Sequence, residues 1–225
     1  MKDREELFKA FNTFIFSEDI KVIGKLLWRF KLFEMIKDLP GDIVEIGVFK
    51  GSGVATFQKF MDIFTPNTNR KVVGFDIFDA DKTKDILQKD SDIDSEEMIK
   101  ILERTSPSEL SLLEVNSRLS KMNSKINFTL VDGDCVDTIP EFVKQNPGFR
   151  ISFLYIDVDL ERPVYQSLKH LWDLVVPGGI IAFDEYGYHW WSESRGVHNF
   201  LTERNIQVEI KSTNFLQPTA YIVKK

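Results

Sequence analysis

The sequence predicts an α/β fold: a doubly wound, mostly parallel sheet of seven strands, closed by an antiparallel C-terminal pair and preceded by helices. Three features carry this. Short apolar runs alternate with amphipathic segments from Asp42 onward, the pattern of parallel strands joined by helical crossovers. A glycine-rich turn separates the first strand from the helix after it. Two apolar runs end in paired acids, Asp157-Val158-Asp159 and Asp184-Glu185.

The elements follow in order. Residues 4–38 place Leu7, Phe8, Phe11 and then Ile23, Leu26, Leu27, Phe30 and Phe33 at helical spacing. Ser17-Glu18-Asp19 offers an N-cap for a second helix. This Phe-rich region, 1–39, is a helical extension suited to a lid or a dimer contact; residues 40–225 form the main domain. Strands are expected at 42–46, 71–75, 126–131, 151–156 and 179–183, with helices at 52–64, 136–145 and 164–174. Residues 78–105 open with the acidic run "DADKTKDILQKDSDIDSEE", which reads as a solvated loop, and a helix at 108–122 follows. The tail, from Asn205, reads as two strands joined by a turn around Gln217-Pro218.

A net charge of −6 argues against a broad nucleic-acid or acidic-membrane surface. A single cysteine, Cys135, excludes an intrachain disulfide and a cysteine zinc cluster. The charged N-terminus lacks the apolar run of a signal peptide, and no apolar segment is long enough to span a bilayer. These features predict a cytoplasmic protein without a membrane or nucleic-acid partner.

The turn "VEIGVFKGSGVATF" spaces its glycines G-x-x-x-G-x-G, at Gly47, Gly51 and Gly53, unlike the G-x-G-x-x-G of dinucleotide binders. Glycine allows a sharp turn and close approach to a ligand. Glu45 at the strand end suits a cationic ligand group rather than a pyrophosphate. Asp76, after the second strand, can accept from both hydroxyls of a ribose. Asp134 and Cys135, in "VDGDCVDT", sit where an adenine amino group would be met. Three such signals at adjacent strand ends describe a pocket for S-adenosylmethionine in a Rossmann-like sheet, with Asp157 beside the methyl donor.

At these residues the chain resembles the class I S-adenosylmethionine-dependent O-methyltransferases, and more narrowly the metal-dependent macrocin O-methyltransferase-like family, which methylates sugar hydroxyls. The resemblance runs from about Pro40 to the C-terminus, through "PGDIVEIGVFKGSG" and "IDVDLERPVYQSLKHLWDLVVPGGIIAFDEY". It implies a divalent cation held by Asp157, Asp184 and Glu185, and a small acceptor that is a sugar, nucleotide sugar or glycoside. Glu185 departs from the Asp-Asp or Asp-Asn of relatives. Carboxylate oxygens favour a hard ion such as Mg²⁺. Such a cation would lower the pKa of a bound hydroxyl.

No lysine stands near Asp157 in the sequence, so the general base is open; His189 is the first candidate and Asp159 the second. Tyr186, Tyr188, Trp190 and Trp191 can stack on a sugar or simply cover the sheet end. The resemblance implies an acceptor-binding role for Glu193, which sits where some relatives carry an acid after a tryptophan. Two other readings stand. Asp157-Val158-Asp159 also has the D-x-D form of a metal-dependent glycosyltransferase, and the pocket could belong to a non-catalytic S-adenosylmethionine-binding protein.

Overall fold

The computed structural model describes residues 4–90 and 93–225. Ser91 and Asp92 of the expected acidic loop, and Met1 to Asp3 of the N-terminal region, lie outside the described residues.

Two helices open the chain, α1 (Arg4–Ile15) and α2 (Ile20–Ile36). The side chain of Asp19 caps α2 by accepting from the Lys21 N–H at 2.7 Å. Then come β1 (Asp42–Ile46), α3 (Ser52–Phe64), β2 (Val72–Asp76), α4 (Ala80–Asp90), α5 (Ile93–Glu103), α6 (Pro107–Leu110) and α7 (Leu112–Lys121). The second half holds β3 (Phe128–Asp132), α8 (Cys135–Gln145), β4 (Ile151–Ile156), α9 (Glu161–Leu171), β5 (Val175–Phe183), α10 (Glu193–Glu203), β6 (Lys211–Ser212) and β7 (Ala220–Val223).

The strands form one seven-stranded sheet in the order β3-β2-β1-β4-β5-β7-β6. The first five are parallel, and β7 runs antiparallel to β5 and to β6. The predicted fold class is therefore observed. Strand order reverses between β1 and β4, and ligands of open α/β sheets bind at the carboxyl ends beside such a switch. Every residue of β4 is buried, as expected of a central parallel strand covered on both faces.

Side chains alternate across the sheet. Val44, Ile46, Leu154, Ile156, Ile181 and Phe183 pack into the core on one face. Ile43, Phe153, Tyr155, Ile180 and Ala182 enter the other, beneath α2 and α3. That second core includes Leu32, Phe33 and Ile36 of α2, so the C-terminal half of this helix is integral to the domain. By contrast, α1 buries no residue.

Three sequence expectations change. The acidic run is not a loop: α4 and α5 occupy most of it. Ala80, Leu87, Leu102 and Leu110 form a small core of their own, and pairs such as Lys82–Asp79 (3.7 Å) and Lys100–Glu97 line the polar sides. The charge density masked a helical apolar period. The predicted helix at 108–122 divides at Ser111, which ends α6 and caps α7. Lastly, α10 was not anticipated, and the first tail strand shrinks to Lys211–Ser212.

Phe33 is fully buried against Phe60 and Phe64, with ring centroids 5.5 and 6.3 Å away. Phe33→Ala is expected to lower the unfolding free energy by about 3–5 kcal/mol in urea denaturation. A loss well under 1 kcal/mol would show that α2 does not belong to the cooperative core.

Candidate active site

A cavity of about 690 Å³ opens at the carboxyl edge of the sheet. Its floor is the β1–α3 turn with Glu45, Gly47 and Gly53, together with Asp76, Asp134 and Cys135 after β2 and β3, and Asp157 and Asp159 after β4. Phe14, Val22 and Leu26 from α1 and α2 form one apolar wall. Ile86, Met98 and Ile101 from α4 and α5 form another.

The glycine turn is built for close approach. Gly47 has φ +90, and a Cβ there would lie 1.9 Å from the Asp157 carbonyl oxygen. At Gly53 a Cβ would meet Glu45 Oε1 at 1.7 Å, so the missing side chain makes room for the Glu45 carboxylate. Gly51 is not on the cavity wall; with φ +88 it starts α3 and faces Val115. Asp76 ties the turn down. Its Oδ2 accepts from the Val48 and Phe49 N–H groups at 2.8 and 2.7 Å, and its Oδ1 from Phe78 N–H at 3.2 Å. Burial raises the Asp76 pKa, opposed by these backbone bonds.

The hydrogen-bond ladder fixes the acids beyond β4 and β5. Asp157 N–H donates to the Ile46 carbonyl at 2.8 Å, and Asp184 N–H to the Ile156 carbonyl at 3.1 Å. By strand alternation both side chains follow Tyr155 and Ala182 onto the face covered by α2. There Lys25 Nζ lies 2.9 Å from Asp157 Oδ2 and 2.9 Å from Asp184 Oδ2. The other Asp184 oxygen accepts from the buried Tyr155 hydroxyl. One turn further along α2, Arg29 donates to Glu45 at 3.2 Å, lies 3.7 Å from Asp157 and covers the Tyr155 ring at 4.7 Å.

These contacts set the protonation states. Burial works against the charge on Lys25, but Asp157 and Asp184 outweigh it and its pKa rises. Burial pushes Asp184 up and the Asp157 charge adds to this, while Lys25 and Tyr155 oppose. Burial raises Glu45 to about 7 despite Arg29, and its Oε2 is buried without a partner. An unpaired buried acceptor on a cavity floor suits a cationic ligand group. Burial, then Asp157 and Glu185, raise Asp159 well above the usual carboxylate range. Asp159 is held at φ +60 on the cavity wall.

Comparison with known proteins fits this architecture. The profile of the family described as Macrocin-O-methyltransferase (TylF) matches residues 32–217. The chain belongs to this family. It is an S-adenosylmethionine-dependent O-methyltransferase. Among solved structures, calicheamicin methyltransferase CalS11 shares 22% identity over 99% of this chain and 86% of its own, with a TM-score of 0.72. The O-methyltransferase NovP shares 21% over 89% and 79%, also at 0.72. An O-methyltransferase from Bacillus cereus, in complex with SAH, shares 13% over 100% and 92%, at 0.58. At these identities the likeness is one of fold. No curated protein matches the chain.

Within this methyltransferase, Glu45, Gly47, Gly53, Asp76, Asp134, Cys135 and Asp157 all line the one cavity. Asp134 also caps α8, accepting from Val136 N–H at 2.9 Å. Burial, with help from Asp134, raises the Cys135 thiol to about 12, so it is an unreactive wall group.

The expected three-acid metal set is not assembled. Lys25 fills the space between Asp157 and Asp184, and Glu185 is turned aside to accept from Gln217. Among the described residues no group of three His, Cys, Asp or Glu side chains is placed to hold a metal. Burial and the Asp184 charge raise Glu185 to about 7. His189 is exposed and off the cavity wall, which counts against it as base. Glu193 is fully buried behind the site, not on its wall; its Oε1 accepts from Glu185 N–H at 3.0 Å. Trp190 is exposed, and Tyr186 bonds His198 at 2.7 Å.

Lys25, Arg29, Tyr155 and Gln217 escaped the sequence reading. Lys21, Lys25 and Arg29 recur every four residues along a mostly apolar helix, a basic stripe that marks one face. Tyr155, the penultimate residue of β4, brings a hydroxyl to the carboxyl end of that strand.

Glu45 gives a pH test. Its carboxyl holds a proton in the folded protein up to about 7, against 4.5 for the ordinary group. The folded state therefore binds more protons in this window, and stability falls as pH rises from about 4.5 through about 7. Glu45→Gln is expected to remove up to about 1.4 kcal/mol per pH unit of that slope, read by urea denaturation across the window. Equal slopes in both proteins would show that Glu45 is ionised throughout.

Proposed function

We propose that the protein transfers a methyl group from S-adenosylmethionine to a hydroxyl of a small sugar-containing acceptor. The observation that carries the reading is the cavity at the β1/β4 switch, with the glycine turn and the unpartnered Glu45 Oε2 on its floor. Glu45 Oε2 would receive the cofactor's amino group, Asp76 the ribose, and the Asp134–Cys135 turn the adenine. A related structure supports a sugar-type acceptor: CalS11, a TDP-rhamnose 3'-O-methyltransferase, matches in its apo form at 24% identity and a TM-score of 0.68.

The reaction is a displacement at the methyl carbon. The acceptor oxygen forms a bond to it, the sulfonium sulfur keeps the electrons of the bond that breaks, and the hydroxyl proton leaves. Holding both reactants aligned supplies roughly 7–11 kcal/mol of the barrier. The apolar walls from α1, α2, α4 and α5 exclude water around the sulfonium. Asp159 is our candidate for the base, because it is a carboxylate on the cavity wall whose pKa burial raises above the ordinary carboxylate range, which makes it a stronger proton acceptor once ionised. No step is assigned to a divalent cation, since the three-acid set is not assembled.

The direct test offers S-adenosylmethionine with a panel of nucleoside-diphosphate sugars and glycosides, following methylated product by mass spectrometry. Product with at least one sugar acceptor is expected; methylation confined to non-sugar phenols would overturn the sugar reading. Asp184→Asn is expected to leave S-adenosylhomocysteine affinity within a few-fold while cutting turnover by about a hundredfold or more, through misplacement of the groups it anchors. Full turnover in this variant would remove Asp184 from the site. Asp159→Asn should lower kcat with little change in cofactor affinity, and an unaltered kcat would exclude it as the base.

A further inference from the structure

Five acids gather at and behind the carboxyl ends of β4 and β5: Asp157 and Asp159 on the cavity wall, and Asp184, Glu185 and Glu193 buried beside them. Arg29 is engaged with Glu45, and Lys25 bridges the central pair alone, at 2.9 Å to each Oδ2. Lys25 is not a surface residue that has drifted inward. It projects from α2, whose later turns are locked into the core by Leu32, Phe33 and Ile36. On the preceding residue, Gly24, a Cβ would lie 1.9 Å from the Phe215 ring, so the absence of a side chain lets α2 settle closely on the 213–219 segment. Arg29, one turn on, is buried and anchored to Glu45 and Asp157. The ammonium is thus delivered by a docked helix to the two oxygens that a hard divalent ion would also use.

From this we infer that Lys25 is the resident cation of the Asp157–Asp184 pair, and that the pair takes one cation at a time: the tethered ammonium, or a divalent ion that displaces it. A divalent ion binding both Oδ2 atoms needs contacts of roughly 2.0–2.6 Å. An ammonium held on the same two atoms would then lie within a few ångström of the divalent ion, and their repulsion drives it out. Displacement frees the N-terminal half of α2, where of residues 20–27 only Gly24 is buried, while the later turns stay anchored. The inference rests on the proposed active site but not on the identity of the acceptor.

The test is calorimetric titration of Mn²⁺ into the full chain, wild type against Lys25→Met and Lys25→Arg, each checked for folding by circular dichroism. Lys25→Met is expected to bind Mn²⁺ at least about tenfold more tightly than wild type. Lys25→Arg should stay near wild type, and adding Asp184→Asn to Lys25→Met should cancel the gain. Equal affinity in wild type and Lys25→Met, tighter binding by wild type, or no binding to Lys25→Met would each overturn the inference. Hydrogen exchange on the wild type gives a second readout that needs no variant. Saturating Mn²⁺ should reduce protection of the amides at 22–27, and unchanged protection with Mn²⁺ bound at Asp184 would overturn it. S-adenosylhomocysteine titrated into the same samples reports on the cofactor pocket separately, so loss of that binding counts against the proposed function and not against the exchange of cations.

Discussion

Two carboxylates fixed side by side at the ends of adjacent strands need a positive charge between them. Asp157 and Asp184 are placed by the backbone ladder itself, through bonds to Ile46 and Ile156, so neither can retreat from the other. Like charges in a half-buried site drive one of the pair toward its neutral form unless a cation intervenes. The chain meets this constraint with Lys25, and much of the site's arrangement follows. Helix α2 must lie across the sheet end, and Tyr155 must give its hydroxyl to Asp184. Once α2 is there, Arg29 falls over Glu45.

The same helix ties binding to folding. Its C-terminal half is a core element, while its N-terminal half and α1 wall the cavity. Gly24 and Phe215 link it to the segment that carries Gln217, and Gln217 holds Glu185 away from the acid pair. Thus Glu185 and the lysine that sits between Asp157 and Asp184 belong to one connected set of contacts.

Much of the fold was legible because parallel strands write themselves as short apolar runs. Val72–Asp76 and Ile151–Ile156 fell within a residue of expectation. Helices α4 and α5 were hidden because their apolar residues are sparse among charges and pack mainly on one another. That the turn glycines and strand-end acids would line one cavity was legible too, since these are local signals. Lys25 was not: it lies 132 residues from Asp157, and nothing local to either shows that they meet. A lysine on an amphipathic helix ordinarily reads as solvated surface, and only the docking of α2 turns it inward. His189 shows the converse: its closeness to Glu185 in sequence suggested a shared site, but the chain turns outward after β5 and leaves it exposed and off the cavity wall.

The most direct measurement is anomalous diffraction at the manganese edge from crystals grown with S-adenosylhomocysteine and soaked in graded Mn²⁺. The account predicts that any manganese peak between Asp157 and Asp184 gains occupancy only as the Lys25 side chain leaves both carboxylates, the two occupancies trading off through the series. A fully occupied manganese ion bound to both acids, with Lys25 still within hydrogen-bond distance of each, would contradict it.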